Sequence, residues 1–95
     1  MRTQDLKLHD ATLKSITFEW REALCILELR TSEEPHCKLI FSAVTHIAVP
    51  RNQPWGPSVS INEFREKQPG SFEIELQSGD VIEVKASNFL FEPMP

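Results

Sequence analysis

Apolar and polar residues alternate with a period of two along most of this chain. That period is typical of β-strands with one buried face. The stretches with this pattern predict strands over Thr12–Trp20, Ala23–Arg30, Cys37–Ser42, Val44–Pro50, Ser58–Phe64 and Ser71–Gln77. A further strand is expected around Ile82 and Val84, and a short closing strand over Phe89–Phe91. Neither a long helical pattern nor an internal repeat is present in the sequence.

Turn signals separate these strands about every 8–12 residues. This spacing predicts an all-β, single-domain antiparallel meander of about six or seven strands over residues 1–95. Because the apolar face of such a sheet must be covered, we expect the meander to curl into a half-barrel or a small sandwich. Phe18 and Trp20 fall at core positions of the first strand.

The register of the second and third strands bears on the two cysteines. A turn about Ser32–Pro35 places the odd-numbered apolar residues of both strands on one face. The predicted pairs are Leu29 with Cys37, Leu27 with Leu39, and Cys25 with Phe41. The two cysteines are then roughly 13 Å apart along the strands at about 3.3 Å per residue. A disulfide needs Cα atoms within about 7 Å, so we expect two buried free thiols in a reducing compartment.

Two local features are expected in the second half of the chain. Phe64 is out of phase with Val59 and Ile61, which indicates a β-bulge near Asn62-Glu63. A short helix over Asn62–Gln68 is the competing interpretation.

The final hairpin has a recognisable loop. Gln77-Ser78-Gly79 suits a three-residue hairpin loop with Gly79 in the left-handed region. The loop sets Ile74 opposite Ile82 and Phe72 opposite Val84, which places all four side chains on one face.

The stretch Arg51–Ser58 differs from the rest of the chain. Two prolines bracket a tryptophan and a glycine there, a composition that neither a helix nor a central strand tolerates. We therefore predict a stiff loop, which either covers the open end of the sheet or binds a partner. The candidate binding residues of this loop are of types common at binding hot spots. They are Arg51, Asn52, Gln53 and Trp55.

Composition limits the classes of function. The 95 residues carry a formal net charge of −4, without the basic face typical of nucleic-acid-binding proteins. No apolar run approaches the ~20 residues of a membrane span. The N-terminal segment lacks the apolar region of a secretory signal. We expect a cytoplasmic protein that binds neither nucleic acid nor a membrane.

No arrangement of reactive side chains predicts catalysis. His9, His36 and His46 are far apart and match no metal-ligand spacing. The three glycines leave no glycine-rich phosphate loop. Because adjacent strand residues point to opposite faces, His36 cannot easily activate Cys37. We therefore expect no enzyme activity, no metal and no cofactor.

Acidic residues gather on the last hairpin. Glu73, Glu75 and Glu83 are expected to line one of its outer faces. A solvated sheet face is the simpler interpretation, and a docking patch for a basic partner is the other.

Six short segments, spread over nearly the whole chain, carry a resemblance. They are Leu8-His9-Asp10, Phe18-Glu19-Trp20, Val49-Pro50-Arg51, Pro54-Trp55-Gly56-Pro57-Ser58, Ile61-Asn62 and Gln77-Ser78-Gly79-Asp80-Val81-Ile82. Together they resemble a group of small uncharacterised bacterial β-rich proteins, some of which are linked to immunity proteins of polymorphic toxin systems. The resemblance implies a non-enzymatic protein that blocks a toxin by binding, and it supplies no catalytic residue.

The leading hypothesis is a non-catalytic domain that binds another protein, with an immunity-type inhibitor as its most specific form. Contacts would come from the 51–58 loop, from the acidic strand face, or from edge-to-edge pairing as a homodimer. The alternative is a β half-barrel that binds a small ligand in an apolar pocket, with His46 or Asp10 among its polar groups. A third hypothesis is a subunit of a larger assembly without separate activity.

Overall fold

Eight strands follow one short helix in the computed structural model, which describes residues 2–53 and 56–94. A 3₁₀ helix spans Thr3–Asp5. The strands are β1 (Thr12–Glu19), β2 (Leu24–Arg30), β3 (Cys37–Ser42), β4 (His46–Ala48), β5 (Val59–Gln68), β6 (Ser71–Leu76), β7 (Val81–Lys85) and β8 (Asn88–Pro93). All the strand pairs are antiparallel, which confirms the predicted all-β class.

The strands form one sheet in the order β4-β7-β6-β5-β1-β2-β3-β8. This order is not the predicted simple meander of six or seven strands. Only β1-β2-β3 and β5-β6-β7 are consecutive, and β4 and β8 pair far from their chain neighbours. No ladder joins β4 to β8 within the described ranges, so the sheet is open and does not form the expected half-barrel or small sandwich. The Cα radius of gyration of 12.3 Å matches the ~12.4 Å of a compact domain of this length.

The strand order reads the same from the opposite edge when each of the first four strands is exchanged with its counterpart in the last four. The counterparts are β1 and β5, β2 and β6, β3 and β7, and β4 and β8. Each half contributes a three-stranded meander and sends its fourth strand to the edge of the other half. β4 therefore pairs with β7, and β8 pairs with β3. The amino-acid sequence has no matching repeat, so this internal two-fold relation is a property of the backbone alone.

Backbone hydrogen bonds at the crossovers repeat this relation. The Val44 N–H donates to the Ala23 carbonyl at 3.0 Å, and the equivalent Ala86 N–H donates to the Gly70 carbonyl at 3.0 Å. Both bonds hold the chain at the point where it leaves one half for the other. The third strands are thus anchored to the start of the second strand of their own half before the fourth strands cross.

A second pair of bonds fixes where each fourth strand begins. The Thr45 N–H donates to the Lys85 carbonyl at 2.9 Å, and the Ser87 N–H donates to the Ser42 carbonyl at 3.0 Å. Each bond links the residue before a fourth strand to the third strand of the opposite half. The two halves are therefore held together by an exchange of strands.

One hydrophobic core lies between the halves. The rings of Phe41, Phe64, Phe72 and Phe89 come from four different strands and pack with centroids 5.3–6.4 Å apart. Leu27, Leu29, Leu39, Ile61, Ile74, Ile82 and Val84 are fully buried around them. Burying a side chain of this size contributes about 1.5–3 kcal/mol, so the phenylalanine cluster stabilises the packing of the two halves.

Several local predictions are confirmed. The β2–β3 register pairs Cys25 with Phe41 and Leu29 with Cys37, and both cysteines are buried free thiols. The β6–β7 register pairs Ile74 with Ile82.

The bulge on β5 and the loop glycine are confirmed as well. Register shifts occur in β5 between Ile61 and Glu63, and β5 runs on as a strand through Gln68, so the competing helix is absent. Gly79 has a φ of 105°, within the left-handed range expected for the hairpin loop.

Two placements differ from the sequence-based prediction. The predicted strand Val44–Pro50 is reduced to His46–Ala48, because its first residues form the crossover. Trp20 was expected in the core, but its side chain is 87% exposed. The β1–β2 ladder ends at Glu19. Trp20 begins the turn, in which the Ala23 N–H donates to the Trp20 carbonyl at 3.3 Å. Its side chain therefore lies beyond the buried face of the sheet.

The turn before β2 contains a strained residue that its counterpart avoids. Ala23 has a φ of 52°, whereas Gly70 at the equivalent position has a φ of 79°. A non-glycine residue in this region costs about 1–2 kcal/mol. We predict that Ala23→Gly stabilises the protein by about 0.5–1 kcal/mol, after the larger unfolded-state entropy of glycine is subtracted. Urea unfolding measures this free energy.

Ala48→Gly is the matched control, because Ala48 lies in β4 outside the left-handed region. It should lower the free energy of unfolding by about 0.5–1 kcal/mol. If both variants are destabilised equally, the turn does not require the left-handed conformation.

Candidate functional site

β1 has one edge that is only briefly paired. β5 pairs with β1 at Thr12 and Leu13 alone, whereas β2 pairs with β1 along its whole length. From Ser15 to Glu19 the second edge of β1 carries no ladder in the part of the chain that the structure describes. Register shifts flank the junction on both strands, in β1 after Leu13 and in β5 after Ile61. Because bulges bend strands, the two strands separate on leaving the junction.

The free backbone groups of this edge follow from the alternation of an antiparallel ladder. The Ala23 carbonyl accepts a bond from the Val44 N–H on the β3 side, so Leu24 and Ile26 direct their backbone groups towards β1. Their ladder partners are Glu19 and Thr17, which therefore direct their own backbone groups towards β2. The backbone groups of Ile16 and Phe18 point to the other side. They form an unpaired strand edge, the type of edge to which extended segments of other proteins add.

A groove runs between this edge of β1 and the segment from β4 into the following loop. One end is lined by Phe18, Trp20, Val44, His46 and Ile47. The other end is lined by Ile16, Lys14, Val49, Arg51 and Gln53, among others. The two depressions adjoin where Ile16 and Phe18 share a face of β1, and we call the pair of them the β1–β4 groove.

The internal two-fold relation explains why the groove exists. Ile16 and Ile47 occupy the positions that Phe64 and Phe89 occupy in the other half. Phe64 and Phe89 pack edge to face with centroids 5.3 Å apart and fill the space between β5 and β8. The two isoleucines are smaller and leave the corresponding space between β1 and β4 open.

Trp20 lies at the rim of the groove. Its ring packs edge to face on Phe18 with a centroid distance of 6.0 Å, and the rest of it faces solvent. Such an aromatic contact contributes about 0.5–1.5 kcal/mol, enough to orient the ring without burying it. Val49, also in the groove, is 46% exposed. The groove thus presents apolar side chains to solvent from both of its walls.

The predicted site residues are placed as follows. Arg51 and Gln53 line the loop end of the groove. Asn52 is exposed beside them. Trp55 lies outside the described residues, so its part in the predicted binding surface stays a prediction. The structure therefore joins two of the four predicted residues to a surface that also contains Trp20.

Asp80 holds the loop in place. This carboxylate is 8% exposed, and its Oδ2 accepts a hydrogen bond from the Gln53 backbone N–H at 2.8 Å. It belongs to the β6–β7 turn, where its own carbonyl accepts a bond from the Leu76 N–H at 2.9 Å. Asp80 therefore connects the turn of the last hairpin to the Arg51–Gln53 segment.

The loop end of the groove is basic, although the chain as a whole is acidic. Lys14 and Arg51 line it, and neither forms an ion pair with a carboxylate among residues 2–53 and 56–94. The Lys14 Nζ donates to the Pro35 carbonyl at 3.3 Å. The one carboxylate in the lining, Asp80, is engaged by a backbone N–H. This end therefore favours an anionic group.

The acidic face of the last hairpin is largely compensated. The Arg65 guanidinium donates to Glu73 at 2.8 Å, to Glu75 at 2.9 Å and to Glu63 at 3.0 Å. The hydrogen bond from Arg65 lowers the pKa of Glu75, and hydrogen bonds to Glu75 and Glu73 raise the pKa of Arg65. Glu83 lies opposite Glu73 as predicted, 4.0 Å from the His46 Nε2. This cluster stabilises the sheet and leaves little free charge for a basic partner.

The remaining reactive residues do not converge. Among the described residues no group of three or more His, Cys, Asp or Glu side chains could hold a metal ion. The His9 Nδ1 bonds the Asn62 carbonyl at 2.8 Å, and His9 is not among the residues that line the groove with His46. Burial raises the pKa of Cys25 to about 11 and also raises that of Cys37, which disfavours the nucleophilic thiolate.

Comparison with known proteins identifies the fold. The chain is similar to an uncharacterized protein from Neisseria gonorrhoeae, whose crystal structure matches with a TM-score of 0.56 at 18% identity. The match covers 90% of this chain and 93% of that one. It confirms the resemblance to uncharacterised bacterial proteins at the level of fold, and it carries no link to immunity proteins. No protein-family model matches the chain, and no curated protein matches its sequence.

No helix in the described ranges is long and apolar enough to cross a membrane.

We predict that Asp80→Ala releases the loop. The Gln53 N–H loses its acceptor, and an unsatisfied buried group costs about 1–3 kcal/mol. Hydrogen exchange of the Gln53 amide should accelerate strongly, and the free energy of unfolding should fall by up to about that amount.

Asp80→Asn is the matched control, because its amide oxygen can still accept the bond. It should retain most of the amide protection. Equal exchange rates in the wild-type protein and in Asp80→Ala would show that the Asp80 carboxylate does not hold the loop.

Proposed function

We propose that this chain is a non-catalytic, cytoplasmic domain that binds another protein through the β1–β4 groove. The observation that carries the proposal is Trp20, which is held on Phe18 at the rim of the groove with 87% of its side chain exposed. Tryptophan is enriched at binding hot spots, where its burial contributes strongly to affinity. A ring kept in solvent beside an open groove is available for that use.

The free strand edge supplies the second part of the contact. Ile16 and Phe18 offer backbone donors and acceptors along the groove, so an extended segment of a partner could add to β1. The apolar walls at Ile16 and Ile47 would take alternate side chains of that segment. Main-chain bonds would supply affinity and the side-chain contacts specificity.

The charge of the groove indicates the chemistry of the partner. Lys14 and Arg51 favour an acidic group at the loop end, and the opposite end is apolar. We therefore propose a partner surface that combines apolar and acidic side chains. A basic partner on the acidic hairpin face is less well supported, because Arg65 already bonds both Glu73 and Glu75.

An immunity-type inhibitor is the most specific form of this proposal. The resemblance of the sequence to small bacterial β-rich proteins supports it, since some of those are linked to immunity against polymorphic toxins. Inhibition would require the groove to occupy a surface that the toxin needs. No residue of this chain would have to react.

Binding of a small ligand is the second candidate. The loop end of the groove encloses about 240 Å³, and Arg51, Ser78 and Asp80 are polar groups in its lining. This volume is below the ~300–1,000 Å³ of typical ligand pockets. Neither Asp10 nor His46 lines it, so the proposed half-barrel pocket would need a different set of polar groups. Thermal unfolding with a panel of metal ions and metabolites separates the candidates, because only ligand binding predicts a raised midpoint.

We predict that Trp20→Ala weakens partner binding at least about tenfold, or ~1.4 kcal/mol. A partner captured from native cells would be identified, purified and titrated by calorimetry against the wild-type protein and each variant.

Ile47→Phe should also weaken binding, because it introduces the larger ring that fills the equivalent space in the other half. Arg51→Ala should weaken binding of an acidic partner and reduce its salt dependence.

Leu90→Ala is the matched control, since Leu90 is an exposed apolar residue outside the groove. It should bind the partner with wild-type affinity. Wild-type affinity in folded Trp20→Ala and Ile47→Phe proteins would rule out the groove as the contact surface. If the partner is a toxin, co-expression should protect cells, and Trp20→Ala should reduce that protection.

A further inference from the structure

β8 is an edge strand with little protection against pairing. It runs for six residues, Asn88–Pro93, and pairs with β3 on one side only within the described residues. Natural edge strands are usually short, charged or covered, because unpaired backbone groups attract other strands. The opposite edge strand, β4, has only three residues. β8 is twice as long and has a single charged residue, Glu92.

Ladder alternation determines which backbone groups of β8 are free. The Met94 N–H donates to the His36 carbonyl at 2.7 Å, and the β3–β8 register continues from there without a shift. Asn88, Leu90 and Glu92 therefore direct their backbone groups towards β3. Phe89 and Phe91 direct theirs to the free edge. Pro93, which lacks an N–H, falls on the same free side, where no donor is needed.

These free groups are complementary to those of an identical strand. If two copies of β8 run antiparallel with Leu90 on the two-fold axis, Phe89 faces the second copy's Phe91 and each pair exchanges two hydrogen bonds. Leu90 then lies opposite its own counterpart, in the closer type of pair that makes no hydrogen bonds. In this one register the two copies of β8 satisfy each other's free backbone groups, as an isologous contact requires.

Side chains support the same register. Ile26, Ile40 and Leu90 are cross-strand neighbours on the outer face, and Leu90 is 52% exposed at the end of this row. Pairing at β8 would extend the apolar row across both copies. Glu92 would face the second copy's Asn88 and already lies opposite Lys38 in its own chain, so no like charges meet.

We infer that β8 pairs with β8 of a second copy of this chain and joins the two sheets into one. The partner is the chain itself because length, free backbone groups, apolar row and charge all match a two-fold contact. The contact is limited to one strand edge and a few side chains, so the dimer should depend on concentration, as small interfaces do. The β1–β4 groove takes no part in it.

Sedimentation equilibrium from about 10 µM to about 1 mM tests this inference. The wild-type protein should pass from monomer to dimer. Leu90→Lys should stay monomeric, because two lysines would lie opposite each other at about 4.5 Å between Cα atoms. Val49→Lys, which changes an exposed apolar residue in the groove, should dimerise like the wild-type protein.

Cysteine cross-linking tests the register. Leu90→Cys should form a disulfide-linked dimer under mild oxidation, because the paired Cα atoms lie within disulfide reach. Asn88→Cys should not, because it faces the second copy's Glu92. A wild-type protein that is monomeric throughout, a Leu90→Lys protein that dimerises, or equal cross-linking of both cysteine variants would overturn the inference. Circular dichroism of each variant verifies that it is folded.

Discussion

The short junction between β1 and β5 is the constraint on which the rest of the structure depends. It is the one ladder that joins the two meanders directly among the described residues. Beside the paired residues, the Asp10 N–H donates to the Ile61 carbonyl and the Ile61 N–H to the Ala11 carbonyl, each at 2.8 Å. Bulges end the pairing on both strands, so the halves diverge and remain connected by their exchanged fourth strands and the phenylalanine cluster.

The groove follows from this junction and from a difference in side-chain size. Divergence of β1 and β5 leaves two related spaces, one between β5 and β8 and one between β1 and β4. Two phenylalanines fill the first, whereas Ile16 and Ile47 leave the second open. Trp20 stands at its rim because the β1–β2 ladder ends one residue earlier. An apolar surface with a free strand edge therefore arises from the same backbone that elsewhere forms a packed core.

Local features of the fold could be predicted from the sequence, and the long-range ones could not. The period-two pattern and the turn residues determined the β2–β3 and β6–β7 registers, the bulge after Ile61 and the conformation of Gly79. The pairing of β1 with β5 and the exchange of β4 and β8 depend on contacts between distant segments, for which alternation gives no signal. The predicted meander was wrong for this reason.

The candidate site shows the same division. Arg51 and Gln53 were identified by residue type, and they do line the groove. Trp20 was missed because it continues the alternation of Ile16 and Phe18, although it lies just past the last ladder pair. The dipeptide Arg21-Glu22, which marks the turn directly after it, was the available signal that the buried face ends there.

Amide hydrogen exchange along β1 tests the central claim most directly, since the groove exists only if the edge of β1 is free. Within one strand, the Thr17 and Glu19 amides should be protected by β2, and the Phe18 amide should exchange almost as fast as those of exposed turns. Comparable protection of Thr17 and Phe18 would mean that another segment covers this edge, and it would contradict the account.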